Sequence, residues 1–284
     1  MGFAMVPGRP DAMFMITKFY PIFQSEEAGV HLYQASDGLN TPWTGQRIID
    51  LPFVHRISVV GNGTEHYLVA ASVCEGKAFQ DDWSRPGAVY VARIQNDLGG
   101  PWEPVPILEG IHQNHGMQVR EFEGKLCVYV TAAEGVFRLE APAPGQSQWQ
   151  VTQLFDHKVS ELYLADLDGD GQDEMAVIEP FHGNTLSVYK NENNIWQKIY
   201  SSDLAFGHGL WAGSFGNDRV VFAGNRSGDA NLACFRVVSL KPFNREEFVV
   251  NAGSGTTNLD VIQTDKGPAL IASNPGHEEY AMYH

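Results

Sequence analysis

The chain has 284 residues, 43% of them hydrophobic, with 19 basic and 34 acidic side chains and a formal net charge of -15. Such a composition suits a globular fold with a real core and excludes a disordered chain. So acidic a protein repels nucleic acid and anionic membranes, and neither is expected as a partner.

The N-terminal stretch MGFAMVPGRPDAM has no basic region leading into a long apolar one, so no signal peptide is expected. No run approaches the roughly 18 apolar residues of a membrane helix. Cys74, Cys127 and Cys234 form an odd, sparse set that is no disulfide framework. The expectation is a soluble cytoplasmic protein.

The first predicted strands lie in MFMITKFY, GVHLYQA and TGQRIIDLP. From His55 onward a unit of about 45 to 60 residues recurs. Its first strands open at HRISVVGNG, HGMQVREFEG, ELYLADLDGDG, HGLWAGSFGN and NLDVIQTDKG. Second strands follow in HYLVAAS, KLCVYVTA, EMAVIEP, RVVFAGN and PALIASN, and third strands in AVYVARI, GVFRLEA, TLSVYKN, LACFRVVS and YAMYH. A Trp or Phe opens each last run: WEPVPILE, WQVTQLFD, WQKIYSSD and FNREEFVV. Short apolar runs bounded by turn residues, with no long helical periodicity, predict an all-β chain. Four strands per unit predict a single β-propeller over residues 1–284, with six blades favoured over five or seven. A β-sandwich is the competing architecture. The last unit ends without its own fourth strand, so either the N-terminus donates one or the ring closes differently.

Within the fourth unit, Asp166, Asp168 and Asp170 alternate and are followed by Gly171 and Glu174. Oxygens at positions one, three, five and nine, with a backbone carbonyl near Gln172, can wrap one hard cation. The stretch ADLDGDGQDEMAVIEPFHGNTLSVYK resembles the FG-GAP calcium-loop repeats of integrin-type propellers. That resemblance implies one structural Ca2+ tying the first strand of a blade to the second. The matching turns of the other units lack the carboxylate series.

Neighbouring strands of a blade are antiparallel. The start of strand one and the end of strand two therefore share one face, and the turn between them lies on the other. Glu179 and His182 should then be remote from the aspartates. The face of His182 also collects His55, Arg56, His115, His208 and Asn258 from strand starts. Loops after second strands add Lys77, Asp82, Trp83, Arg226 and His277. A lone histidine at a strand start is ordinarily a hydrogen-bonded surface residue, and His31, His66 and His284 are read so. The doublets His115-Gly116, His182-Gly183 and His208-Gly209 are different, because glycine permits close backbone approach or positive φ. They predict a functional pocket at the mouth of the central channel.

Imidazoles from several blades, His55, His115, His182 and His208, could hold a divalent transition metal such as Zn2+ or Mn2+. A metal on a carbonyl or carboxylate acidifies the neighbouring C–H, which suits β-elimination or isomerisation. His182, His115, His208, Lys77 and Glu179 are the catalytic candidates. Arg56, Asp82, Trp83, Arg226, Asn258 and His277 are the substrate-binding ones. EPFHGNTLSVYK and the His-led strand starts resemble the propeller domain of the fungal aldos-2-ulose dehydratase/isomerase family and the propeller-type polysaccharide lyases. The resemblance implies that His182 belongs to a funnel site; the chain has no cupin-like second half. The expected function is a metal-assisted lyase or isomerase of a small sugar or sugar-derived carbonyl compound. The alternative is a non-catalytic propeller that binds a glycan or a protein.

Overall fold

The computed structural model describes residues 2–19 and 24–284. The predicted run MFMITKFY therefore lies in part outside the described residues. The chain divides into two compact units, Met1–His157 and Lys158–His284.

The first unit carries three antiparallel four-stranded sheets. They are β1 (Phe3–Val6), β2 (Arg9–Thr17), β3 (Gly29–Ala35) and β4 (Trp43–Asp50); then β5 (Val54–Gly61), β6 (His66–Ser72), β7 (Gly87–Arg93) and β8 (Val105–Ile111); then β9 (Met117–Phe122), β10 (Lys125–Ala132), β11 (Gly135–Glu140) and β12 (Gln150–Phe155). The second unit carries β13 (Glu161–Ala165), β14 (Glu174–Glu179), β15 (Thr185–Glu192) and β16 (Ile195–Asp203), then β17 (Gly207–Phe215), β18 (Asp218–Asn225), β19 (Leu232–Leu240) and β20 (Phe243–Asn251). Its last sheet has three strands, β21 (Asn258–Thr264), β22 (Gly267–Asn274) and β23 (Glu279–Tyr283), with a 3-10 turn at Pro275–His277. The fold is all-β and of the β-propeller class, six blades in all. The N-terminal strand β1, which precedes the first strand read from the sequence, pairs with β2 in the first blade. Among the described residues no helix is long and apolar enough to cross a membrane.

The uniformly apolar second strands have a plain cause. Within each unit the first strands of successive blades lie side by side, β1 by β5 by β9, and β13 by β17 by β21. The middle blade of a unit is thus covered on both faces. Along β6, Leu68 and Ala70 enter the core shared with Phe14, Ile16 and Leu32, while Val69 and Ala71 enter the one shared with Val128, Val130 and Leu139. Along β18, Val221 and Ala223 pack with Ile178 and Leu186, whereas Val220 and Phe222 pack with Leu270. A strand buried on both faces reads as a continuous apolar run, unlike the alternation of a half-exposed strand. The last strand of a blade, such as β16 or β20, is largely exposed and polar.

The turns follow local chemistry. Glu123 and Gly124 join β9 to β10 with φ of 50° and 77°, and Asn193 and Asn194 join β15 to β16 with 55° and 66°. Two successive positive φ values match the right-handed twist of the flanking strands, which favours Gly and Asn there.

The three thiols are free, and burial pushes each up to about 11. At pH 8 the native protein is expected to react with a thiol-disulfide reagent at no more than about one-hundredth of the rate of an ordinary thiol, because thiolate is the attacking species. All three should react at once in guanidinium. Fast labelling of any one in the native state would contradict this.

Candidate functional site

In the fourth blade the aspartate turn joins β13 to β14, and His182 follows the far end of β14. That strand has six residues, so the two features lie about 20 Å apart along it.

At the turn, Asp166 accepts hydrogen bonds from the backbone N–H groups of Gly169 and Gly171 (3.1 Å for Gly171). Asp168 accepts from the N–H of Asp170 at 3.2 Å, and Asp170 from that of Gln172 at 2.8 Å. Glu174 is fully buried and accepts from the Leu167 N–H at 2.8 Å. The oxygens left over, Asp168 Oδ2, Asp170 Oδ2 and Glu174 Oε1, all meet Lys190 Nζ, at 2.8, 2.9 and 2.6 Å. Burial works against the Lys190 ammonium, yet these carboxylates outweigh it and hold its pKa well above the usual lysine range. The Lys190 hydrogen bond lowers Asp170 in turn, while burial raises Glu174. The sequence reading missed Lys190, because a single lysine on a strand forms no motif with a loop some 20 positions earlier.

At the other end, β14 runs into Glu179, Pro180, Phe181 and His182. The His182 N–H donates to Ser160 Oγ at 3.1 Å, and its φ is 45°. Gly183 is confined: a Cβ there would lie 2.2 Å from the Glu179 carbonyl oxygen and 2.4 Å from the Pro180 nitrogen. The glycine of this doublet therefore serves close approach, and the positive φ belongs to the histidine. Glu179 turns away into its blade. It is buried and accepts from Ser187 Oγ at 2.7 Å, Tyr189 OH at 3.1 Å and Lys198 Nζ at 2.5 Å. Burial disfavours the Lys198 charge, but its hydrogen bonds to Glu179 and Tyr189 prevail and raise its pKa.

His208 sits where the β17–β18 register slips between Gly207 and Gly209. Such a bulge re-aims the side chain it carries. Its Nδ1 lies 2.8 Å from the Thr257 carbonyl oxygen. The rings of His182 and His208 have centroids 5.1 Å apart, and His182 also stacks on Phe181 at 4.1 Å and meets Phe206 at 5.0 Å. Arg226 lies 5.6 Å over Phe206. Asn258 is exposed at the start of β21, and His277 is exposed in the 3-10 turn, 3.6 Å from Glu279.

The first unit repeats the device. His55 lies where the β5–β6 register slips between Val54 and Arg56. Its ring is 4.4 Å from that of the buried His115 and 4.7 Å from Phe19. Arg56 Nε donates to the His115 carbonyl, and Thr131 Oγ1 accepts from the Gly116 N–H at 2.8 Å. His112, also near a strand start, has its Nδ1 2.7 Å from Glu134 Oε1. Lys77, Asp82 and Trp83 share the β6–β7 loop. Lys77 Nζ sits 3.2 Å over the Trp83 ring and donates to the Gln80 carbonyl at 2.6 Å, and burial lowers its pKa. Asp82 accepts from Ser84 Oγ and from the N–H groups of Ala78 and Ser84, which pulls it down to about 2. Its oxygens build the loop.

A scan against models of protein families finds no match to this chain, and a search of curated proteins finds none either. Solved structures do resemble it. One is described as a "putative 6-phosphogluconolactonase" from Bacteroides uniformis, with 12% identity, covering 99% of this chain and 80% of that one, at a TM-score of 0.62. Another is a protein from Lactobacillus plantarum, with 13% identity, 100% and 83% coverage and a TM-score of 0.56. A third is the Trypanosoma rangeli sialidase in complex with sialic acid, with 14% identity, 99% and 52% coverage and a TM-score of 0.53. At such identities the likeness carries the fold alone.

Proposed function

We propose that the chain is a metal-assisted lyase or isomerase acting on a sugar or sugar-derived carbonyl compound, with His182 and His208 among the ligands of a divalent transition metal such as zinc or manganese. The observation that carries the reading is the bond between His208 Nδ1 and the Thr257 carbonyl. A carbonyl only accepts, so Nδ1 bears the proton and the lone pair lies on Nε2. Metal-ligating histidines characteristically have this arrangement, with the second ring nitrogen fixed by a carbonyl or carboxylate. His182 offers a second imidazole beside the first, with its ring orientation set by Phe181 and Phe206. His55 and His115, the paired histidines of the first unit, are the other imidazoles nominated for metal.

When bound, the metal would supply Lewis acidity toward a substrate carbonyl or carboxylate. The protein's own part is to fix the imidazoles, to shield them with aromatic rings, and to offer the Arg226 guanidinium to substrate oxygens. The sugar-directed names of two similar structures, a 6-phosphogluconolactonase and a sialidase, agree with a carbohydrate substrate. Glu179, held by Lys198, is a support for the loop in this reading and not the proton acceptor.

The test is elemental analysis of the purified chain, followed by an ultraviolet screen of keto-sugars and uronate oligosaccharides with added zinc or manganese. The chain is expected to retain transition metal, and His182→Ala and His208→Ala should each lose it. Turnover should fall about 10²- to 10⁴-fold with the melting temperature nearly unchanged. His115→Ala and Lys77→Met in the same assay report whether those residues serve the same reaction. No retained metal and no turnover, with glycan binding that Trp83→Ala removes, would establish the non-catalytic binding module instead.

A further inference from the structure

The calcium that the aspartate motif implies meets a donor set already engaged. An ammonium has three N–H donors and no acceptor. Lys190 spends them on Asp168, Asp170 and Glu174 at 2.6 to 2.9 Å, with a side chain only 9% exposed. Calcium needs six to eight oxygens at about 2.3–2.6 Å. It would compete with the ammonium for these three. The lysine is also anchored: it sits on β15, paired with Gln197 of β16, so its stem is held within the blade. The other oxygens of Asp166, Asp168, Asp170 and Glu174 are bound to backbone N–H groups. As folded, the loop does not fit calcium.

We propose that Lys190 is the resident cation of this loop, a tethered ammonium standing where the motif would place calcium, and that removing it turns the loop into a calcium site. The ammonium links β15 to the turn between β13 and β14, the joining role a bound ion would have. It does so without dependence on free calcium. The proposal is independent of the histidine sites.

The experiment uses the full chain. Wild-type protein is melted in a chelator and in about 10 mM calcium chloride, above the millimolar range of weak calcium modules, and titrated with calcium by calorimetry. The expected result is one melting temperature in both solutions and no heat of binding. Lys190→Met is expected to melt on the order of 10 °C lower in chelator. It should recover much of that in calcium and bind one equivalent. Asp168→Asn, which leaves the lysine in place, should lower the melting temperature equally in chelator and in calcium. A wild-type chain that binds one calcium and is stabilised by it would overturn the proposal. So would a calcium-dependent loss in Asp168→Asn, even if Lys190→Met failed to fold, and so would a folded Lys190→Met that ignores calcium.

Discussion

Gly183→Ala is expected to displace His182 and to cost about a hundredfold in metal retention and turnover, with a loss of roughly 1–3 kcal/mol in stability. The new methyl would lie 2.2 Å from the Glu179 carbonyl oxygen, 2.3 Å from its carbon and 2.4 Å from the Pro180 nitrogen. These are backbone atoms, so no rotamer change relieves the clash. Relief requires the segment between Glu179 and Gly183 to open, and that segment carries the Phe181–His182 stack. It also breaks the bond from the Gly207 N–H to the Gly183 carbonyl, 2.8 Å, which ties the loop to the strand bearing His208. Gly209→Ala is the matched control. Its methyl would meet the Leu259 side chain at 3.2 Å, which can give way. Equal effects at the two glycines would refute the close-approach account of the first.

Glu174→Ala is expected to lower the stability of the chain by about 3–5 kcal/mol, the range found when one partner of a buried ion pair is removed. Glu174 is wholly inaccessible and Lys190 nearly so, and solvent screening therefore gives little relief. Two losses coincide. The ammonium keeps Asp168 and Asp170 but loses its shortest contact, and the buried Leu167 N–H loses its acceptor. Glu174→Gln retains an amide oxygen for Leu167 and should cost distinctly less. Urea titrations check this through the midpoint, with an unchanged slope showing that the unfolding reaction is the same. A midpoint for Glu174→Ala within experimental error of wild type would mean that the ammonium does not hold the turn.

The two effects have different readouts. The first moves the histidine chemistry with the smaller loss of stability, and the second takes the larger loss of stability and leaves the histidines, one strand length away, in place. Measuring both on both variants separates the two ends of the fourth blade.

Strand content, the recurring four-strand unit and the aspartate turn were all legible in the amino-acid order. Each depends on neighbours a few residues apart: apolar runs bounded by turn residues, Asn and Gly where φ must be positive, carboxylates spaced two apart. Antiparallel pairing then separates Asp168 from His182 by one strand length, since β13 and β14 must run in opposite directions. Only the tertiary structure decided what faces what. It put Lys190 into the ring of carboxylates from 16 to 22 positions away. It turned Glu179 toward Lys198, although Glu179 stands three places from His182. It placed His55 and His208 on bulges and gave His208 the carbonyl of Thr257, 49 positions on. A bulge is a mismatch between two strands, and a charge partner is chosen by proximity across a sheet, so neither leaves a trace in local periodicity.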